Sequence, residues 1–345
     1  MDHPAPAPVT QSAPVTAPEP ERGDRPGVLP VGGLRSIVIV GPTASGKTAL
    51  AIEVAEILGD AEIVSVDSMQ VYRRMDIGTG KATPGEQSRV PHHLLDLVEP
   101  SVEFSAGWFR DEARAVLDDL AARGRRAILV GGTGLYHRVV VDDLSLPGDY
   151  DEIRSALEAE LAAGLPPEVL HRRLAEADPV AAARIEPANG RRIVRALEVT
   201  TGSGRLFSSF GPGLHEYPSS GHLMVGLRVD RDDMGPRVAA RVAAMMAMGF
   251  LDEVRSLLDE PAGLSRTARQ ALGYRQLLAH LDGSVTLDEA VCDTIGRTRQ
   301  FAVRQERWFR RDPRIEWVDA PERGGRAASE TRSLARSIAG RLEAT

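Results

Sequence analysis

Beyond residue 33 the chain alternates short, uninterrupted apolar runs with longer stretches in which apolar side chains recur every three or four positions. Continuous Val, Ile and Leu runs predict strands buried on both faces, and amphipathic helices between such strands predict a parallel sheet. The runs at 36–40, 62–66, 126–130, 223–229 and 315–318 are the expected strands. Helices are expected over 48–58, closed by Gly59, and over 106–123, closed by Gly124, because glycine takes the left-handed conformation that ends a helix. The rhythm breaks over 148–213, where 151–163, 167–177 and 189–201 read as helices with no strand among them. A strand pattern resumes at 223, so this segment is expected to be an all-helical insertion that projects from an α/β core made of 34–147 and 222–320.

Composition qualifies this picture at the ends. Residues 1–33 hold Pro4, Pro6, Pro8, Pro14, Pro18, Pro20, Pro26 and Pro30 without hydrophobic periodicity, which predicts a disordered tail, and 321–345 is expected to be a C-terminal tail. With 42% hydrophobic and 26% charged residues the remainder is ordinary globular sequence. No run approaches the roughly 18 apolar residues of a membrane span, so a soluble protein without membrane association is expected. The single Cys292 excludes an intramolecular disulfide and a cysteine zinc site, in keeping with a reducing cytoplasm. A formal charge of -7 excludes a surface uniformly basic for nucleic acid, so any RNA contact must be local. Of the 42 basic residues only Lys47 and Lys81 are lysines, which marks both as positions where arginine does not serve.

Gly41, Pro42, Thr43, Ala44, Ser45, Gly46, Lys47 and Thr48 satisfy G-x-x-x-x-G-K-[ST] between a strand and an amphipathic helix. In this motif loop amides and the helix N-terminus surround phosphate oxygens, the lysine neutralises them, and the threonine hydroxyl can hold Mg²⁺. The fold class is therefore a P-loop-type parallel sheet flanked by helices, and the ligand a diphosphate. Reading the loop as an ATP-splitting or kinase site requires a strand that ends in a carboxylate near a γ-phosphate. The run at 126–130 ends instead in Gly131, Gly132, Thr133 and Gly134, whereas that at 62–66 ends in Asp67, Ser68, Met69 and Gln70. Asp67 is thus the carboxylate at the carboxyl edge, open to three readings: helix cap, Mg²⁺ ligand or general base.

The sequence resembles the tRNA dimethylallyltransferases, also called isopentenyl-pyrophosphate:tRNA transferases. The resemblance runs over 34–319 on GPTASGKT (41–48), SVDSMQVY (65–72), DIGT (76–79), PHHLLD (91–96), GGTGLY (131–136), DPVAAARI (178–185), RRIVRALEV (191–199), LGYRQ (272–276) and TRQFAVRQERWFR (298–310). It implies transfer of the dimethylallyl group from dimethylallyl diphosphate to N6 of an adenine beside the tRNA anticodon, with Mg²⁺ as cofactor. It further implies Asp67 as the base, Thr133 as hydrogen-bond donor to the bridging oxygen, and Arg241 on the diphosphate. From the residues alone, Thr133 also reads as a plain helix cap. Arg237 and Arg241, four apart, read equally as a solvated pair, and Arg237 is left without a role.

For RNA, the resemblance implies that Ser68, Met69 and Gln70 line the pocket of an extruded adenine, with Gln70 reading its edge. Arg191, Arg192, Ile193, Val194 and Arg195 on the insertion, and Gly273, Tyr274, Arg275 and Gln276, are implied RNA contacts. Independently, at 100° per residue Arg297, Arg304, Arg307 and Arg311 fall within about 80° of one another and form a basic stripe, flanked by Phe301 and Trp308 on the side expected to meet the core. Two departures from the family pattern stand out: Val303 with Arg307, where the charge is displaced by a turn, and His137, which replaces an apolar residue. An adenylate isopentenyltransferase acting on a free nucleotide would use the same donor but needs no RNA arm, and a small-molecule kinase would need γ-phosphate machinery. The expectation is a monomeric cytoplasmic enzyme with tRNA and dimethylallyl diphosphate as partners.

Overall fold

A computed structural model describes residues 36–144, 146–210, 214, 216–322 and 327–343. The expected N-terminal tail therefore lies outside the described residues. In chain order the elements are β1 (Ile37–Val40), α1 (Lys47–Leu58), β2 (Ala61–Ser65), α2 (Pro84–Arg89), β3 (His92–His93), α3 (Ala106–Ala122), β4 (Arg126–Val130) and α4 (Gly134–Val141). The insertion follows with α5 (Asp151–Ala162), α6 (Pro167–Ala177), α7 (Pro179–Arg184), α8 (Gly190–Ser203) and a short 3₁₀ turn, Phe207–Ser209. The core then resumes with β5 (Leu223–Arg228), α9 (Arg231–Ala247), α10 (Phe250–Leu258), α11 (Arg266–Arg269), α12 (Tyr274–Leu281), α13 (Leu287–Phe309), β6 (Glu316–Asp319) and α14 (Ala327–Glu343).

The six strands form one parallel sheet in the order β3-β2-β4-β1-β5-β6. Both faces are covered, and the alternation along each strand sorts side chains between two apolar layers. Val38, Val40, Val64 and Leu129 join the layer built with α3, α4, α10, α12 and α13. Ile37, Ile39, Ile63, Ile128 and Val130 join the opposite layer, with α1 and α14. Because β1 lies between β4 and β5, and β4 in turn beside β2, the chain ends of β1, β2 and β4 finish level: Ile39 pairs with Val130, and Val130 with Ser65. The loops that follow them, at 41–46, 67–80 and 131–133, therefore meet at the carboxyl edge, where open α/β sheets bind ligands.

Two elements differ from the sequence expectation. β3 is a two-residue edge strand of histidines, too short and polar to give a pattern. The C-terminal segment is not a mere tail: α14 lays Ala335, Ile338 and Leu342 against α1 and β1. Burial of Ile338 and Leu342 contributes about 1.5–3 kcal/mol each, sufficient to hold a helix whose outer face is polar. The insertion has an apolar centre of its own, formed by Leu170, Leu174, Ile185, Ile193, Val194 and Leu197. Fully buried Glu198 ties its first and last helices together by accepting bonds from Tyr150 N (2.8 Å), Arg154 and Arg195.

Candidate active site and RNA-facing surface

The phosphate loop is shaped by its glycines. Gly41 has φ 146° and lies so close to Leu227 of β5 that a Cβ would come 2.8 Å from that residue's carbonyl oxygen. Gly46 has φ 88°, in the left-handed region where a side chain is strained, and delivers the chain into α1. The loop's polar groups are underused by the protein. Ser45 Oγ is buried without a hydrogen-bond partner, and the Thr48 hydroxyl has none among the described residues. Lys47 Nζ reaches only back to its own loop, donating to Pro42 O at 2.6 Å. Burial pushes the Lys47 ammonium down to about 7, the nearby Arg241 guanidinium adding to the effect and Asp67 opposing it. Two cations and an orphaned hydroxyl around this glycine-shaped loop suit a polyanion.

Asp67, two residues beyond the end of β2, is half-buried and accepts a bond from Met69 N at 2.9 Å. No helix starts there, which removes the helix-cap reading. Burial pushes its carboxyl above the ordinary carboxylate range, against the Met69 and Gln70 amides and the Lys47 and Arg241 charges. Thr133 precedes α4, but its side chain makes no capping bond. Its Oγ1 instead accepts from Ser68 N at 3.1 Å, joining the β4 loop to the β2 loop beside Asp67. Arg241 comes from α9, and a Cβ at Gly80 (φ 61°) would overlap its guanidinium, so a glycine is required where the two meet. Burial lowers the Arg241 pKa and Asp67 raises it. Lys47, Asp67, Thr133 and Arg241 thus reach one place from four elements. Arg237 does not join them: it turns away to donate to Pro321 O at 2.8 Å, where the chain leaves β6.

A model for the IPP transferase family matches residues 70–312, and one for isopentenyl transferases matches 34–99. The chain belongs to the tRNA dimethylallyltransferases. It is 47% identical to the tRNA dimethylallyltransferase of Kineococcus radiotolerans over 88% of this chain and 94% of that one. To the tRNA dimethylallyltransferase of Acidothermus cellulolyticus it is 50% identical, covering 89% and 94%. Among solved structures it resembles the tRNA isopentenylpyrophosphate transferase of Bacillus halodurans, with TM-score 0.64, 38% identity and coverage of 90% and 97%. It also resembles a eukaryotic dimethylallyltransferase acting on tRNA, with TM-score 0.71, 25% identity and coverage of 89% and 78%.

Several residues implied as RNA contacts in this family member are engaged inside the protein. The Gln70 carboxamide, expected to read a base edge, accepts from Ser65 Oγ at 2.7 Å and donates to Gly80 O at 3.2 Å and Thr79 O at 3.4 Å. It braces the loop under Arg241. Ile193 and Val194 are core residues of the insertion, and Arg195 is held by Glu198 at 2.7 Å, Asp149 and Pro147 O. That leaves Arg191 and Arg192 exposed on α8. In the 273–276 segment Tyr274 is fully buried and donates its hydroxyl to Glu253 at 2.5 Å, while Gln276 bonds Gly273 N and Asp293. Only Arg275 of that segment faces outward. On α8 and α12 the helical period turns Ile193, Val194, Tyr274 and Gln276 inward.

The basic stripe lies on α13, with Arg311 just past its end. Arg304 and Arg307 are exposed and form no ion pair among the described residues, whereas Arg297 is held by Asp293 at 3.1 Å. The Arg304 guanidinium lies 5.8 Å from the Phe301 ring. Trp308 packs on the core side as expected, against Gly134.

Four supporting residues have no role assigned from the sequence. Glu253 of α10 accepts bonds from the backbone of Asp76, Ile77 and Gly78 at 2.7–3.1 Å and so fixes the loop that ends in Gly80. Lys81 donates to Tyr72 O at 2.8 Å, Asp96 at 2.7 Å and Asp76, burying a compact ammonium among three acceptors where a planar guanidinium would not fit. His137 is buried against Phe309, with its imidazole pushed down to about 3 by burial, so it packs as a neutral ring. The fourth, Gln305, bridges the phosphate loop and the loop after β4. The lysine rarity signalled Lys81, and the three- and four-residue spacing of α13 signalled that Gln305 points inward. Glu253 gave no sequence signal.

Proposed function

We propose that the protein transfers the dimethylallyl group from dimethylallyl diphosphate to N6 of the adenine beside the anticodon in tRNA, releasing diphosphate. The observation that carries this reading is the convergence of Lys47, Arg241, Thr133 and Asp67 on one loop cluster within a tRNA dimethylallyltransferase framework. Gly41, Pro42, Thr43, Ala44, Ser45, Gly46, Lys47 and Thr48 form the cradle for the diphosphate. As the allylic C–O bond breaks, its electron pair passes to the diphosphate, and Lys47, Arg241 and the loop amides stabilise the charge that develops there. Lys47 enters this state protonated, because the anion restores the ammonium that burial disfavours. Thr133 can turn its hydroxyl proton to the bridging oxygen while Ser68 N holds its oxygen in place.

The adenine amine forms the new C–N bond and must lose a proton. Asp67 takes it, and the burial that raises its pKa makes it a better acceptor. Mg²⁺, with the free Thr48 hydroxyl as its protein ligand and the diphosphate as the rest, would add further neutralisation of the leaving group. Among the described residues no cluster of three His, Cys, Asp or Glu could hold a metal alone, which fits an ion that arrives with its substrate. Ser68 and Met69 are placed beside Asp67 to contact the base. Arg191, Arg192, Arg275, Arg304 and Arg307 supply exposed positive charge for the RNA backbone, and the helical insertion of 148–213 serves as the arm.

No described helix is long and apolar enough to cross a membrane. We place the enzyme in the cytoplasm with its tRNA, acting as a monomer. The decisive assay incubates the protein with labelled dimethylallyl diphosphate and Mg²⁺, offering unmodified tRNA or AMP. Label in tRNA supports the reading; label in AMP alone would identify an adenylate isopentenyltransferase, for which the unpaired arginines of α8 and α13 have no use.

A further inference from the structure

Gln305 stands between Arg304 and Glu306 in sequence, yet it points the other way, into the core, with 7% of its surface exposed. Its position belongs to the inward row of α13, with Thr298, Ala302 and Phe309. All other members of that row are apolar or threonine. Gln305 alone places a carboxamide there, and both of its ends are used. Oε1 accepts from Thr43 N of the phosphate loop at 2.8 Å, and Nε2 donates to Gly132 O of the β4 loop at 2.9 Å.

The two loops that it joins carry different parts of the chemistry. Thr43 belongs to the cradle that receives the diphosphate, and Gly132 immediately precedes Thr133, whose hydroxyl is placed for the bridging oxygen. The fit is close: a Cβ at Gly132 would overlap the Gln305 amide, which explains a glycine at that position. Gly134, two residues on, is pressed in the same way by Trp308, so α13 rests on the 131–134 turn through two side chains one helical turn apart. The neutral amide supplies an acceptor for Thr43 N and a donor for Gly132 O at once. A carboxylate would face the Gly132 carbonyl without a proton, and a thioether of the same length would leave the part-buried Thr43 N and the buried Gly132 O without this partner.

We propose that Gln305 is a positioning residue for prenyl transfer, setting the separation between the phosphate loop and Thr133. The proposal rests on the prenyl-transfer reading above. It touches neither substrate; its effect is to keep the cradle and the hydroxyl at the spacing that a single diphosphate spans. Misplacement of reacting groups by about 1 Å can cost on the order of 10² in rate.

The test uses Gln305→Met and Gln305→Glu in the full chain. For each, kcat with both substrates saturating, the dissociation constant for inorganic pyrophosphate by calorimetry, and the thermal midpoint are measured between about pH 6 and 8.5. Gln305→Met should lower kcat at least 10-fold and weaken pyrophosphate by 3-fold or more at every pH. Gln305→Glu should match it at high pH but recover as pH falls, because the protonated carboxyl again accepts from Thr43 N and donates to Gly132 O. The ratio of its kcat to that of the parent should therefore rise at least 5-fold from about pH 8.5 to 6. A Gln305→Met enzyme with parental kcat and pyrophosphate affinity overturns the proposal. So does a pH-independent ratio for Gln305→Glu with losses that follow only the thermal midpoint, since that describes a structural amide. If the parent itself labels no tRNA, the prenyl-transfer reading fails, and the pyrophosphate affinities alone decide whether Gln305 shapes the cradle.

Discussion

Replacing Arg304 and Arg307 together by alanine tests the RNA-facing surface most directly. Both side chains are exposed on α13 and lack a carboxylate partner among the described residues, so each is free to meet a phosphate. Each phosphate contact adds about 0.7–0.9 to the slope of log K against log salt, so the double variant should bind tRNA with a slope shallower by about 1.4–1.8. Over a fourfold rise in salt, from about 50 to 200 mM, that difference amounts to roughly a tenfold change in relative affinity. The parent therefore loses its advantage as salt increases, while kcat at saturating tRNA stays nearly constant because neither arginine approaches the diphosphate. Arg297→Ala provides the internal comparison. Asp293 already neutralises that guanidinium at 3.1 Å, so its removal should change the slope by less than half a unit. Filter binding over a salt series measures all three proteins. Parallel lines for the parent and the Arg304/Arg307 variant would show that the stripe is a solvated helix face, and the RNA contacts would then have to lie around Arg191 and Arg192.

Three further outcomes follow from the site and the core. Asp67→Asn keeps the local bond from Met69 N but cannot take the adenine proton, so kcat should fall by about 10² or more with tRNA affinity within a few-fold; near-parental turnover in rapid-quench assays would remove Asp67 as the base. Lys47 has its pKa lowered to about 7 in the free protein, so its charge is present below that pH and lost above it, and donor binding must restore it. Donor affinity measured by calorimetry should accordingly weaken by up to tenfold per pH unit between about pH 7.5 and 9, a dependence that Lys47→Ala should abolish together with transfer. His137 has its folded pKa depressed to about 3, so the unfolded chain binds its proton first as pH falls below about 6.5, and stability declines there by up to roughly 1.4 kcal/mol per unit. His137→Leu should flatten that acid limb in urea titrations; an unchanged limb would mean that the ring is protonated in the folded state.

The strands, the phosphate loop and the helical insertion could be read without a structure because each has a strong local cause. A run such as Ile37–Val40 can only be buried, and Gly41, Gly46 and Lys47 owe their identity to a loop conformation and a charge that belong to the segment itself. The C-terminal helix was not read, because a short amphipathic period with Ile338 and Leu342 as its apolar members looks like a tail until a partner such as α1 is known. What only tertiary structure decided is which polar side chains are free. Gln70, Arg195, Tyr274 and Gln276 have the residue types of RNA contacts, and each is instead held within the protein: Gln70 by its own loop, Arg195 by Glu198 and the 147–149 segment, Tyr274 by Glu253 of α10 and Gln276 by Asp293 of α13. Gln305 and Glu253 are the converse, ordinary surface residue types in sequence that brace loops more than 170 residues away. Hydrophobic periodicity reports burial along one helix or strand. The partner of a buried polar group depends on which loops the sheet order brings together, and here that order places the ends of β1, β2 and β4 side by side.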